Sequence, residues 1–266
     1  MTPDLLPDGD VVPAYAELSE LGGRRFVVLG GGQGIGRQVV HALTQLGAEV
    51  ELIDRDDGRA RQVAEEIGPA VRPQALDVTD RAAMERLGAT IGPIDGVIDI
   101  VGMARYGRLL DLTDETWAWE HDVVLRHAWL ALQCLAPRIA ERGGGAFAFV
   151  ASLSGLTSAP LHAAYGAFKA ALMSLVRSAA VELGPDRIRV NAVAPGTVWT
   201  PRVAELLGPA GHAKSVAAAP LRRVALPSDV AAGLLFLVSD QAAAITGHTI
   251  VLDGGASARF AYEVDR

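Results

Sequence analysis

Tyr165 and Lys169 stand four residues apart in the run AAYGAFKAAL. A helix would put both on one face, a turn from each other. A phenol with its ordinary pKa of about 10 is a poor proton shuttle at neutral pH, and a neighbouring ammonium favours the phenolate. Thirteen residues before the tyrosine, Ser152 closes the apolar run FVAS and can present a hydroxyl to a substrate oxygen. Ser154 is a second hydroxyl in that segment, but the spacing to Tyr165 and the glycine at 155 favour Ser152. Together the three residues suit the transfer of a proton to or from an oxygen atom.

A second group of residues suits a phosphate. After RFVVL come Gly30, Gly31, Gly32, Gln33, Gly34, Ile35 and Gly36, and then the helix-period stretch IGRQVVHALTQLG. A glycine turn that feeds a helix lets backbone N–H groups and the positive end of the helix dipole meet a pyrophosphate. The spacing is G-x-x-x-G-x-G over Gly30, Gly34 and Gly36, not the common G-x-G-x-x-G. Eighteen residues after Gly36, Asp54 ends the second apolar run. A carboxylate there accepts from adenosine ribose hydroxyls and repels a 2′-phosphate, which favours NAD over NADP. Arg55 beside it pulls the other way, since a guanidinium pairs with phosphate. Asp77 closes the third run, either near the adenine edge or as a turn carboxylate.

Elements that could hold these groups follow from the hydrophobic period. Strand-length runs (RFVVLG, AEVELID, a short segment ending at Leu76 and Asp77, GVIDIVG, AFAFVAS, IRVNAVA, HTIVLDGG) alternate with helical stretches. One of those stretches is a long helix expected from about Asp114 to Glu141, and another runs from about His162 to Leu183. Continuous Val/Ile/Leu runs mark strands buried on both faces, so a parallel sheet covered by helices on each side is expected. Right-handed crossovers make that a single-domain, doubly wound Rossmann-type α/β fold. Residues 1–22, with three prolines, are expected to be an extension, residues 23–266 the domain, and about 198–221 a lid over the substrate.

The ordered set of motifs resembles the short-chain dehydrogenase/reductase family from about Gly23 to Gly255. It includes the glycine turn, the strand-end serine, Y-x-x-x-K, N-A-V-A-P-G at Asn191–Gly196 and D-G-G at Asp253–Gly255. By that resemblance Ser152 polarises a carbonyl, Tyr165 gives or takes the proton, and Lys169 lowers the tyrosine pKa and holds the nicotinamide ribose. The dinucleotide is then expected along Gly30, Gly32, Gln33, Gly34, Ile35, Gly36, Asp54, Arg55, Asp77, Val78, Val101, Gly102, Pro195, Gly196, Val198 and Thr200, with Tyr165 and Lys169 at its reactive end. A homotetramer or homodimer is also implied. Three positions depart from the family pattern. Leu29 replaces a threonine, Asp99-Ile100-Val101-Gly102 replaces N-N-A-G, and Val124 stands where an asparagine often completes a proton relay to the lysine. His127, a turn beyond Val124, either faces the same cavity or packs inside; His162, a turn before Tyr165, reads as structural.

Composition narrows the alternatives. A net charge of -7 without a dense Lys/Arg block gives no footprint for nucleic acid. No apolar run approaches a bilayer span and MTPDLLPDGD does not read as a leader, so a soluble, cytoplasmic protein is expected. The six histidines show no metal-ligand spacing, and the single Cys134 lies in an apolar helical setting as a packed thiol. The expected activity is NAD-dependent hydride transfer between nicotinamide and a secondary alcohol or ketone. The apolar lid segment favours a small to medium hydrophobic substrate, while Arg202 or Arg105 could serve an acid. A catalytically silent NAD(H)-binding sensor or scaffold is the alternative.

Overall fold

Each strand but the last feeds a helix, or two, that returns the chain to the sheet. The structure, a computed structural model, describes residues 12–259. In chain order the elements are β1 (Arg25–Leu29), α1 (Gly34–Gln45), β2 (Glu49–Asp54), α2 (Asp57–Ile67), β3 (Val71–Ala75), α3 (Arg81–Thr90), β4 (Gly96–Asp99), α4 (Asp114–His121), α5 (His127–Arg142), β5 (Gly145–Val150), α6 (Ala163–Leu183), β6 (Ile188–Pro195), α7 (Pro201–Ala218), α8 (Pro227–Val238) and β7 (Thr249–Leu252). The strands form one parallel sheet in the order β3-β2-β1-β4-β5-β6-β7. The chain therefore reverses direction across the sheet between β1 and β4. In open α/β sheets the crevice beyond the strand ends at such a point is where ligands bind.

Alternate strand residues divide the core into two layers, because successive side chains leave a strand on opposite faces. Val27, Leu29, Phe147 and Phe149 pack with α3, α5 and α6. Phe26, Val28, Ala146, Ala148 and Val150 pack with α1, α2 and α8 on the other face. Short polar side chains start several helices by accepting a first-turn N–H: Asp56 from Arg59 at 3.1 Å, Asp80 from Ala82 at 2.9 Å, and Thr113 from Thr116 at 3.1 Å.

Leu21 is fully buried against the second layer, and its N–H donates to the Leu46 carbonyl at 3.3 Å. The chain before β1 is thus tied down from that residue on. β3 is the outer strand on one side and carries Pro73. The stretch expected as one long helix is instead two, α4 and α5, joined by a π-helical turn over Asp122–Arg126 in which the His127 N–H donates to the Asp122 carbonyl. The segment expected as a lid is also helical. α7 bends at Gly208, whose φ of 59° breaks the helix ahead of Pro209. Both flanks of α7 are fixed, Trp199 N–H to the Ala225 carbonyl at 2.8 Å and Leu221 N–H to the Gly254 carbonyl at 3.1 Å.

Candidate active site

The glycine turn after β1 is built from positions that tolerate no side chain. Gly30 and Gly34 have φ of +85° and +54°, the left-handed region that favours glycine. A Cβ on Gly36 would stand 1.9 Å from the Gly30 carbonyl oxygen. Asp54, at the end of β2, locks the turn. Its Oδ2 accepts from Gly32 N–H at 2.8 Å and its Oδ1 from Asp56 N–H at 3.0 Å. Arg55 beside it is exposed. α1 begins at Gly34 with Gln33 making no side-chain cap, so its first-turn N–H groups face the crevice at the switch between β1 and β4. An anionic pyrophosphate fits that cradle.

The other predicted dinucleotide contacts divide. Asp77 acts as a turn carboxylate, accepting at Oδ1 from Thr79 N–H at 2.9 Å and from Thr79 Oγ1 at 2.7 Å. Val78 buries its side chain in the core, and Val101 packs close to Gly30. Gly102 abuts Lys169, since a Cβ there would be 2.7 Å from its Nζ. Thr200 caps α7, its Oγ1 accepting from Val203 N–H at 3.2 Å.

Ser152, Tyr165 and Lys169 come together from two neighbouring elements. Beyond β5 the chain is extended at Ser152, whose Oγ accepts from Ser154 N–H at 3.1 Å. Two glycines let this loop press onto α6. A Cβ on Gly155 would lie 2.8 Å from Ala170 N, and one on Gly166 would lie 2.8 Å from the Ser154 carbonyl. The approach is therefore backbone against backbone, and it brings the serine hydroxyl to the side of the tyrosine, where it holds the phenol pKa down. Lys169 lies 5.7 Å from the Tyr165 ring centre and donates to the Val150 carbonyl at 2.6 Å.

Burial dominates the protonation of both groups. It pushes the Tyr165 phenol up to about 12, against the Ser152 hydrogen bond, which pulls it down. It pushes Lys169 down to about 8, with the Asp99 carboxylate opposing. The phenol thus lies above its ordinary value rather than below it, because losing water costs the phenolate more than the hydrogen bond returns. At neutral pH Tyr165 holds its proton and Lys169 is an ammonium. Between about 8 and the unfolded value of 10.5 the unfolded chain binds a proton that the folded chain does not, so Lys169 makes stability rise with pH in that window. Urea unfolding between about pH 8 and 10 should show a steeper gain for the parent than for Lys169→Met; parallel slopes would mean an ordinary lysine.

A cavity of about 760 Å³ joins these groups, lined by Ser152, Tyr165 and Lys169 together with Ile35, Gly102, Pro195, Gly196, Val198 and Thr200. The remaining predicted positions, from Gly30 to Val101, follow the strand ends outside it. Met103, Tyr106, Leu161, Arg202, Leu206 and Leu207 line it as well. His162, expected to be structural, also lines it and shares a 2.9 Å hydrogen bond with Ser154 Oγ. Burial lowers the His162 pKa, and its ring stacks on Tyr106 and meets Tyr165 edge-on. Its position one turn before Tyr165 was the sequence signal for that placement. Arg105, by contrast, stacks over Trp119 outside the lining.

Val124 is fully buried against Ala164 and Phe168, with Tyr165 at the edge of the cluster, so hydrocarbon fills the place of the relay asparagine. His127 does not face the cavity; it packs inside against Asp99. Cys134 is a half-buried thiol that burial pushes up in pKa. Among the described residues no group of His, Cys, Asp and Glu could hold a metal ion, and no helix is long and apolar enough to cross a membrane.

The doubly wound sheet and the glycine turn ahead of α1 make a dinucleotide-binding fold, and Ser152, Tyr165 and Lys169 share one cavity in it. The chain belongs to the short-chain dehydrogenase/reductase family: a family model described as enoyl-(acyl carrier protein) reductase matches residues 30–257. It is similar to D-xylose 1-dehydrogenase of Caulobacter vibrioides, with 37% identity over 241 residues, 88% of this chain and 96% of that protein. It is 34% identical over 235 residues to carbonyl reductase (NADPH) 2 of Sus scrofa, covering 88% of this chain and 96% of that one. Among solved structures it resembles a 7α-hydroxysteroid dehydrogenase complexed with NADH and 7-oxo glycochenodeoxycholic acid, with a TM-score of 0.86, 26% identity and coverage of 90% and 96%. The chain is an oxidoreductase of alcohols and ketones that uses a nicotinamide cofactor.

Proposed function

We propose that the chain moves a hydride between NAD(H) and a secondary alcohol or ketone of small to medium size and mainly apolar character. Support comes first from one observation: the Ser152, Tyr165 and Lys169 side chains open onto a single cavity that also touches Ile35 and Pro195 at the nucleotide end. When bound, the nicotinamide ring supplies or takes up the hydride. Ser152, which lines the same cavity as the phenol, is placed to donate to a substrate oxygen there. Tyr165 carries the proton that this oxygen gains in reduction and gives up in oxidation. The Lys169 ammonium sits a helical turn away, where it stabilises negative charge on the phenol and can donate to a ribose hydroxyl. The partly exposed Tyr106, Leu161, Leu206 and Leu207 favour an apolar ligand, and α7 is the lid over it. Assembly as a homodimer or homotetramer and a cytoplasmic location complete the reading by likeness to the family.

Turnover separates this reading from a silent NAD(H) sensor. Purified protein is titrated with NADH by fluorescence, then followed by absorbance with NAD and a panel of cyclic, aromatic, terpenoid, steroid and sugar alcohols. Binding without turnover across the panel would favour the sensor.

The choice of NAD rests on the Asp54 carboxylate held at the end of β2. Asp54→Asn removes the charge and keeps an acceptor for Gly32. The ratio of NADPH to NADH affinity should rise about 10- to 100-fold, the equivalent of one charged hydrogen bond. An unchanged ratio by parallel titration would remove Asp54 from the selection of cofactor.

A further inference from the structure

The cavity that Ser152, Tyr165 and Lys169 share is charged on one side of the scale only. The chain has 31 acidic and 24 basic residues, yet none of the described residues lining this cavity is Asp or Glu, while Lys169 and Arg202 both are on its wall. His162 lines it too, but burial lowers its pKa, so at neutral pH the ring adds no charge. Lys169 is engaged at the reactive end, where its Nζ donates to the Val150 carbonyl at 2.6 Å and presses on Gly102. Arg105 stacks over Trp119 and pairs with Glu115 at 3.9 Å. Arg202 has no such partner. Among the described residues its guanidinium makes no ion pair and one hydrogen bond, to the sulfur of Met103, a weak acceptor. Its backbone is nevertheless fixed: Pro201 precedes it at the start of α7, Thr200 Oγ1 accepts from Val203 N–H at 3.2 Å, and Trp199 N–H donates to the Ala225 carbonyl at 2.8 Å. The first turn of a helix favours negative charge over positive, and this one holds no acidic residue, so local structure does not call for a cation.

We propose that Arg202 anchors a carboxylate of the substrate, and that the substrate is a keto acid or hydroxy acid whose apolar body separates the acid from the reacting carbon. The idea rests on the hydride transfer set out above and narrows its substrate. A guanidinium presents a planar fork that meets both oxygens of a carboxylate, and an acid arriving here displaces only the contact with sulfur. Arg202 rises from α7 and Met103 from the loop after β4, so their contact crosses the opening between the two. No carboxylate on the wall repels the incoming one. Tyr106, Leu161, Leu206 and Leu207 line the same cavity and stay partly exposed, which gives the body of such a molecule an apolar surface.

Calorimetric titration of the protein with NAD bound tests this with matched probes: 4-acetylbenzoate, 4-oxocyclohexanecarboxylate and 6-oxoheptanoate, each against its methyl ester. A ketone cannot be reduced by the oxidised cofactor, so binding is read alone. In the parent at least one acid should bind at least about 10-fold more tightly than its ester, the value of one charge-assisted pair. Arg202→Gln keeps donors and removes the charge, and the preference should fall to about twofold or less. Arg202→Lys, with the charge but no fork, should restore part of it. NAD affinity, titrated alongside, should move by less than about twofold, which also shows that the variants fold. No acid preferred over its ester in the parent, or a preference that survives Arg202→Gln, overturns the proposal. A loss of NAD affinity in Arg202→Gln overturns it too, by giving the charge to the cofactor. Absorbance assays with NADH separate this from the reaction. Neutral ketones turned over with no preference for acids strike the anchor and leave the hydride transfer; the expected binding pattern with no ketone turned over strikes the reaction and leaves the anchor.

Discussion

Tyr165→Phe is expected to lower kcat by about 10²- to 10⁴-fold, the value of a positioned proton donor, with NADH affinity little changed. Phenylalanine keeps the ring that meets His162 edge-on at 5.8 Å and lies 5.7 Å from Lys169, and loses only the phenol oxygen. Steady-state rates with a converted alcohol, together with NADH fluorescence titration, measure the two effects. Because the loss concerns a bond that strengthens in the transition state, it should fall on kcat rather than on KM. A variant that retains most of its rate would assign the proton to another group.

Gly36→Ala carries the second large effect, and it works through the backbone. The new Cβ would stand 1.9 Å from the Gly30 carbonyl oxygen and 2.9 Å from Gly31 Cα, so the turn between β1 and α1 must open. Neither neighbour is a flexible side chain that could swing aside. We expect nucleotide affinity to fall at least about 100-fold, the equivalent of about 3 kcal/mol, and stability to drop by about 1–3 kcal/mol. Calorimetric titration and urea unfolding check the two losses. Unchanged binding would mean that the first turn of α1 does not face the dinucleotide. Gly31→Ala is a useful contrast, since its closest neighbour is the Leu52 side chain rather than a carbonyl.

Sequence periodicity conveyed the order of strands and helices, the sidedness of the sheet and the helical pairing of Tyr165 with Lys169, because each is a local pattern of apolar or glycine residues. What escaped it depends on contacts between distant residues. Asp99 and His127 are 28 positions apart, and nothing in DVVLRH distinguishes a π-helical turn from ordinary helix. The segment expected as a lid over about 198–221 gave no sign of its helix, which continues on either side of the bend at Gly208. Asp77 satisfies a turn, which its sequence context left open. The direction of the Tyr165 shift was also illegible, since Lys169 at i+4 is visible in the sequence and the burial that dominates the phenol is not.

Pro73 bears on how two copies can meet. The Val50 N–H donates to the Ala70 carbonyl and the Leu76 N–H to the Asp54 carbonyl, so even-numbered backbone groups of β3 bond inward and the missing N–H of Pro73 falls on the outer rim. On the same strand Arg72 is engaged by Glu49 and Glu51 at 3.2 and 3.1 Å. A foreign strand arriving there finds a gap where it needs a donor, and fixed charge alongside it. Growth of the sheet by annexing a neighbour is blocked from this flank, which leaves self-association to helical faces or to the opposite border at β7.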